Sequence, residues 1–328
     1  MVEPTTPPRR WLDRPLIRVL VVGCWLAAAA LAVLFVARLS GRDLNRTLTL
    51  VLSFLPVIAL GAFPLLVLAA AFQRKALAGV CAALLLVALV LYVPARGPGA
   101  RAAPEGWPTI RVLSANLLFH NTEVDRFLAE IPAIDPDVIV LQEVTDGHRT
   151  AITESGLRAT YPHELDGAEA VDPMILSKFP LSDETITNVH GRRMPQATVA
   201  TPGGPVQLID VHTVPPVYDL PGWTGQLDEL SDIAQGLGRP LLVGDFNATL
   251  DHAPFRRLLD EADLTDGQLI AGSGWGTTWR EGNHLPPLLR IDHVLTGAGL
   301  EVVSLTTGVT PGSDHRHLVA DIAVDPSD

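Results

Sequence analysis

Residues 240–247, PLLVGDFN, drive a short apolar run into Gly244-Asp245-Phe246-Asn247. A β-rich apolar stretch bounded by Pro and Gly predicts a buried strand, and this one delivers a carboxylate and a carboxamide to its end. Asp245 and Asn247 are two apart, so in extended chain they share a face while Phe246 points the other way into packing. Such a pair can hold a water and a phosphoryl oxygen, although Gly-Asp-x-Asn taken alone is also ordinary turn chemistry.

Other apolar runs end in the same manner. The alternation that begins at Thr109 stops at Asn116, the run 138–141 ends in Gln142-Glu143, and 206–211 ends at His212. Asp292 lies in 290–295, a strand with polar residues at alternate positions, and Ser313-Asp314-His315 precedes a last strand at 318–322. Each has a bland reading: a salt bridge for Glu143, a surface position for His212. Their repetition at strand ends favours one shared site for metal-assisted phosphoryl chemistry, which needs neutralised oxygens, a positioned water and a protonated leaving group. Glu143 offers a hard oxygen suited to Mg²⁺ or Mn²⁺, with Asn116 and Asp314 as its helpers. Zinc is disfavoured, because neither a cysteine nor a closely spaced histidine pair accompanies Glu143. Asp245 would activate water or protonate the leaving oxygen, and Asn247 would hold the water or a phosphoryl oxygen. His212 would donate to the other phosphoryl oxygens, and an acid such as Asp292 would orient His315 and stabilise its protonated form. The division of acid and base roles among Asp245, Asp292 and His315 stays open at this level.

The elements that must carry these residues alternate between strand and helix. Residues 121–131 predict a helix with Asn121 as N-cap and Val124, Phe127, Leu128 and Ile131 on one stripe. A helix over 146–156, a strand over 174–177 and a hairpin of 196–200 with 206–211 around Pro202-Gly203-Gly204-Pro205 follow. Residues 214–222, VPPVYDLPG, are too Pro-rich for regular structure and predict a loop over the site. Amphipathic 223–235, a helix at 253–261 and a strand at 301–307 complete the pattern.

The N-terminal third has another character. Residues 17–39, 47–72 and 76–93 are apolar runs long enough to cross a hydrocarbon core, so three transmembrane helices are expected within a membrane anchor at 1–93. Pro56 and Pro64 in the middle run are tolerated in such helices. Residues 94–107 are rich in Pro, Gly and Ala and predict a tether, with a catalytic domain at 108–328. Residues 1–93 hold nine Arg/Lys and three acids, a net of +6. The whole chain holds 24 and 36, which leaves 15 basic and 33 acidic residues, a net of −18, for 94–328. So acidic a domain disfavours long nucleic acid as partner. The basic residues flanking the spans, Arg9, Arg10, Arg14, Arg18, Arg74 and Lys75 on one side against Arg38, Arg42, Arg46, Arg96 and Arg101 on the other, lean towards an N-terminus inside and a domain outside the cytoplasm. Cys24 and Cys81 both lie in apolar runs, and the C-terminal domain has no cysteine to staple it.

SANLLFHN, VIVLQEV, MILSKFP, VHT, LLVGDFNA, TTW, RIDHVL and SDHRHL, in that order over about residues 108–325, resemble the motifs of the endonuclease/exonuclease/phosphatase superfamily. The resemblance implies a four-layered α/β sandwich with two central β-sheets. It implies that Asn116 and Glu143 serve the metal site, that His212 contacts phosphate, that Asp245 and Asn247 are the catalytic pair, and that Asp292, Asp314 and His315 complete the constellation. Leu118 departs from the pattern, standing where some nuclease members have a metal-binding aspartate. With its three-span anchor the chain resembles, more narrowly, the VanJ-type vancomycin/teicoplanin resistance membrane proteins, which implies an extracytoplasmic site for a lipid-linked pyrophosphate such as undecaprenyl pyrophosphate.

The expectation is therefore a membrane-anchored, divalent-metal phosphohydrolase acting on a lipid-linked phosphate. Its competitors are a nuclease or phospholipase C-like phosphodiesterase and a non-catalytic membrane-bound binding module. Spans that hold the domain at a bilayer raise the effective concentration of a lipid substrate, which favours the first.

Overall fold

The computed structural model describes residues 15–41, 45–93, 99–271, 276–282 and 286–327. Arg9, Arg10, Arg14, Arg42 and Arg96 of the charge argument, and residues 94–98 of the expected tether, lie outside the described residues. The chain divides into two compact units, Met1–Arg42 with Phe54–Val93, and Asp43–Ser53 with Pro94–Asp328.

The helices of the first third run α1 (Pro15–Leu39), α2 (Arg46–Ser53), α3 (Leu55–Ala59), α4 (Ala62–Ala71) and α5 (Lys75–Tyr92). α1 and α5 are each long and apolar enough to cross a membrane. The middle stretch passes that test only as a broken pair, α2 with residues 55–71, so among the described residues the spans number two, or three if the pair is one span. Phe54 stands outside the helical path, and Pro56 in the first turn of α3 has no N–H to offer as a donor. Within the first unit α1 packs on α4 and α5, which pack on each other. Leu20, Leu26, Val33 and Val36 of α1 remain exposed, an outward apolar surface that hydrocarbon would solvate.

The second unit is a four-layered sandwich. Its elements run β1 (Thr109–Asn116), α6 (Val124–Ile134), β2 (Val138–Thr145), α7 (Asp146–Glu154), α8 (Leu157–Thr160), β3 (His163–Asp166), β4 (Val171–Ser177), β5 (Leu181–Val189), β6 (Arg192–Thr201) and β7 (Gly204–His212). After these come α9 (Leu220–Gln235), β8 (Pro240–Asp245), α10 (Ala253–Glu261), β9 (Thr265–Asp266), α11 (Gly267–Ala271), β10 (Asp292–Thr296), β11 (Leu300–Val309) and β12 (Arg316–Val324). One sheet has the order β11-β12-β1-β2-β4-β3 and the other β5-β6-β7-β8-β10-β9.

Strand periodicity explains the layers. Val112, Val138, Val140, Leu241 and Val243 lie in the core between the sheets, while their chain neighbours Leu113, Ile139 and Leu242 pack outward under helices. Strands buried on both faces read as continuous apolar runs, which is what 138–141 and 240–243 show. Outside the first sheet, Phe127, Leu128 and Ile131 of α6 fill the outer core; outside the second, Trp223 of α9 and Phe255 of α10 do so. The helix expected at 121–131 begins later, at Val124: Asn121 Oδ1 accepts from Glu123 N at 2.7 Å, an Asx turn ahead of the helix rather than a cap. β3 and β5 have no counterpart in the sequence reading, because HELD and LSDETITNV are polar and lie towards the sheet edges, where neither apolar runs nor strict alternation is required.

Candidate active site

The inward parity set by Val112 continues along β1 to Asn116, and that of Leu208 along β7 to His212. Val243 passes it along β8 to Asp245, and Val294 back along β10 to Asp292. β7 runs parallel to β8 and pairs His212 with Asp245; β10 runs antiparallel to β8 and pairs Asp292 with Asp245. β12 opposes β1 with Ser114 across from Leu318, so His315 enters beside the end of β1. Topology thus brings the polar ends of both sheets to one rim of the sandwich.

Glu143 breaks this parity, since regular alternation would send it outward. The β2–β4 register shifts between Leu141 and Val144, and Glu143 takes φ +57°, a bulge that re-aims its side chain. Its Oε1 accepts from Asn116 Nδ2 at 3.2 Å and lies 3.6 Å from His212 Nε2, and its Oε2 accepts from Phe119 N at 2.8 Å. Asn116 Nδ2 also donates to Asp245 Oδ2 at 3.2 Å. At the end of β8, Gly244 has φ +137°, and a Cβ there would meet Val211 O at 2.1 Å, so only glycine fits. Asn247 takes φ +47°; its backbone N donates to Asp245 Oδ1 at 2.8 Å and its Nδ2 to Thr213 O at 2.9 Å.

The histidines are set in opposite states. Arg192 donates to His212 Nδ1 at 3.1 Å and to its carbonyl at 3.2 Å, which leaves the ring proton on Nε2, facing Glu143. Burial, with Arg192 and His315 nearby, holds His212 well below the ordinary histidine range, so it is a neutral donor. His315 Nδ1 lies 3.0 Å from Asp292 Oδ2, and its Nε2 lies 3.8 Å from Asp245 Oδ2 and 3.9 Å from Asp314 Oδ1. Burial opposes its charge, but Asp292 and Asp245 outweigh that and raise it. Burial and then repulsion from Asp292 raise the Asp245 carboxyl, with Glu143 adding to the push.

Asp245, Asp292 and His315 are all buried, and their ligand atoms lie within 4.8 Å of one another. Asn116 joins this group through Asp245 and brings Glu143 with it, and Asp314 joins through His315. The eight residues expected from sequence therefore meet at one place. The donor set fits a hard divalent cation: Glu143 keeps two oxygens near neutral donors only, and three carboxylates crowd around His315, an arrangement a cation relieves. Several supporting residues were not foreseen. Trp279 Nε1 donates to Asp314 Oδ2 at 3.1 Å, Thr278 Oγ1 accepts from the backbone N of Ile291 and Asp292, and Ser313 Oγ donates to Asn116 O at 2.7 Å. The TTW motif carries the first two. Nothing in the sequence marks Arg192.

Beneath the rim, Gln142 Nε2 of one sheet donates to Asp210 Oδ1 of the other at 2.8 Å, while Gln142 Oε1 has no partner. Burial raises Asp210 well above the usual carboxylate range, against the bonds from Gln142 and the Met174 backbone.

Two face-packed sheets presenting a hard-oxygen cation site beside a buried acid and a histidine–aspartate pair define a phosphoesterase of the α/β-sandwich class. The chain belongs to the Endonuclease/Exonuclease/phosphatase family, which residues 113–315 match, and is a metal-dependent hydrolase of phosphate bonds. Solved structures share the fold. An endonuclease/exonuclease/phosphatase from Beutenbergia cavernae DSM 12333 is 19% identical, covers 66% of this chain and 72% of its own, and has a TM-score of 0.50. D. rerio TDP2 complexed with single strand DNA product is 14% identical over 65% and 98%, TM-score 0.55. The 3′ phosphatase NExo from Neisseria bound to product DNA hairpin is 19% identical over 64% and 98%, TM-score 0.52. No curated protein sequence matches the chain.

Proposed function

We propose that the protein is a membrane-anchored phosphohydrolase of a lipid-linked phosphate or pyrophosphate, such as undecaprenyl pyrophosphate, using Mg²⁺ or Mn²⁺. The observation that carries this reading is the presence, in one chain with the phosphoesterase site, of α1 and α5, each apolar and long enough to span a bilayer. Residues 1–93 serve as anchor, with three spans whose middle one lies within 47–72, and 94–107 as tether. The basic flanks, six residues against five, lean towards a domain outside the cytoplasm, and the resemblance to the VanJ-type proteins favours a role in the cell envelope and glycopeptide resistance.

Glu143, Asn116 and Asp314 would hold the cation, which neutralises phosphoryl oxygens when bound. Asp245, its carboxyl raised, takes a proton from the water whose oxygen bonds to phosphorus, and Asn247 orients that water. His212 Nε2–H donates to a phosphoryl oxygen. As the phosphorus–oxygen bond to the leaving group breaks, the His315 imidazolium, held by Asp292, supplies its proton.

The test is full-length protein in detergent with Mg²⁺ or Mn²⁺, comparing phosphate release from undecaprenyl pyrophosphate with cleavage of plasmid DNA. Phosphate release is expected, falling by roughly 10²–10⁴-fold in Asp245→Asn. DNA cleavage alone, equally lost in the variant, would replace this reading by a nuclease-like phosphodiesterase, which the DNA-bound structures of the same fold favour. A phenotype untouched by Asp245→Asn would point to a binding module.

A further inference from the structure

The loop after β7 leaves the site and comes into the open with two apolar side chains: Val217 is 40% exposed and Tyr218 75%. Its root is part of the site. Thr213 O accepts from Asn247 Nδ2, and Thr213 Oγ1 donates to Phe246 O at 2.6 Å. Its tip is held by α2, where Arg46 Nη2 donates to Tyr218 O at 3.3 Å.

α2 is in turn fixed to the second unit by His252. His252 Nδ1 accepts from Thr249 N at 3.0 Å, so the ring proton sits on Nε2, which is 3.0 Å from both Thr49 O and Ser53 Oγ. Thr49 and Leu52 are fully buried. Yet α2 has little free chain on either side. Residues 40–45 separate it from the end of α1, and Phe54 alone separates it from α3. Six extended residues reach ~20 Å at most, and one residue under ~4 Å. A loop bonded to α2 is therefore leashed to apolar helices through both ends of α2.

We infer that the loop over residues 214–219 is the membrane-facing lip of the active site, with Val217 and Tyr218 set into the headgroup and upper hydrocarbon region of the bilayer. Tyrosine suits that depth, since its ring is apolar and its hydroxyl stays wet. Resting on the lipid-phosphate reading, the lip explains how one substrate serves two solvents: its phosphate reaches Asp245 and Asn247 while its chain stays among lipids. Phe119, whose backbone N binds Glu143, adds a second exposed ring, 56% open, to a loop rooted in the site.

The test uses the full chain in vesicles of phosphatidylethanolamine and phosphatidylglycerol, with Cys24 and Cys81 replaced by Ala and a spin label on Tyr218→Cys. Glu184→Cys, on the exposed part of β5, is the aqueous reference. The label at 218 is expected to collide with oxygen far more than with a water-soluble nickel chelate; a label as open to the chelate as that at 184 overturns the lip. In parallel, the Val217→Ser/Tyr218→Ser protein should lose ~10-fold in hydrolysis of a lipid phosphate in vesicles. Its hydrolysis of p-nitrophenyl phosphate should be unchanged. Equal loss on both substrates overturns the proposal, because the loop would then shape the site rather than meet the membrane. A membrane-buried label on a protein that hydrolyses no lipid phosphate sinks the substrate reading and leaves the lip standing.

Discussion

Gln142 and Asp210 meet at 2.8 Å across the gap between the two sheets, and each is the near neighbour of a residue at the rim, Glu143 in one case and His212 in the other. It is a polar bond in a layer filled mainly by valine, leucine and isoleucine. A carboxyl so placed is costly to ionise.

Replacing Asp210 by Asn is expected to stabilise the protein at neutral pH. The folded carboxyl is raised above its unfolded value, so the stability it contributes is full below about pH 4 and is lost as pH rises. Asn removes that loss, and Gln142 can turn its unpaired Oε1 towards the new amide. Thermal melts from pH 4 to 8 should show a flatter profile, with Tm up by ~2–4 °C at pH 7 if ~1 kcal/mol is recovered. A lower Tm across the whole range would mean that the ionised carboxylate has a hidden partner.

Glu143→Gln keeps the shape of the side chain but turns one of its two accepting oxygens into an amide NH₂, so it retains the bond from Asn116 or from Phe119, not both, and it loses the negative charge. The Mg²⁺ or Mn²⁺ concentration for half-maximal activity should rise by about 10–100-fold, with much of the maximal rate recovered at saturation. Chelation with EDTA should silence the parent protein, and readdition of either ion should restore it. An unchanged metal requirement in the variant would remove Glu143 from the ligand set.

Acid should release α2 before the sandwich unfolds. Burial holds His252 at about 4, despite the bond to Thr49, with Arg256 and His293 adding to the depression. The folded value lies below the unfolded one, so the stability tied to neutral His252 is present above about pH 6.5 and is lost as pH falls through 4. The loss amounts to on the order of 3 kcal/mol when complete. Protonation at Nδ1 would turn it against the Thr249 N–H it now accepts. Hydrogen exchange over residues 46–53 should therefore accelerate between pH 6.5 and 4 more steeply than over β8, after correction for intrinsic rates. Parallel acceleration in both segments would dissolve the assignment.

Much of the site was legible because inward parity is a sequence property. Asn116, His212, Asp245 and Asp292 each stand an even number of residues from an apolar residue between the sheets, so a period-2 reading finds them. Glu143 was found for another reason, the cost of a carboxylate ending an apolar strand, and its aim depends on a bulge that no alternation predicts. Arg192 was invisible: an arginine at the start of a strand carries no mark that it fixes a histidine tautomer on the next strand. The edge strands β3 and β5 were missed because their sequences satisfy solvent rather than a core. Likewise the apolar run 47–72 does not announce that its first turns side with the second unit; the signal lies in His252, some two hundred positions on.

The pairing of His212, Asp245 and Asp292 as immediate neighbours on three adjacent strands gives the enzyme a built-in alignment gauge. Sliding β8 by a single position would swap Phe246 for Asp245 at the rim and turn every core side chain of that strand inside out. A one-residue deletion or insertion in β8 or β10 should therefore extinguish activity outright, whereas the same change in the exposed β3–β4 turn at Glu169-Ala170 leaves this three-strand alignment untouched. Turnover in this protein reports strand alignment as directly as any spectroscopic probe.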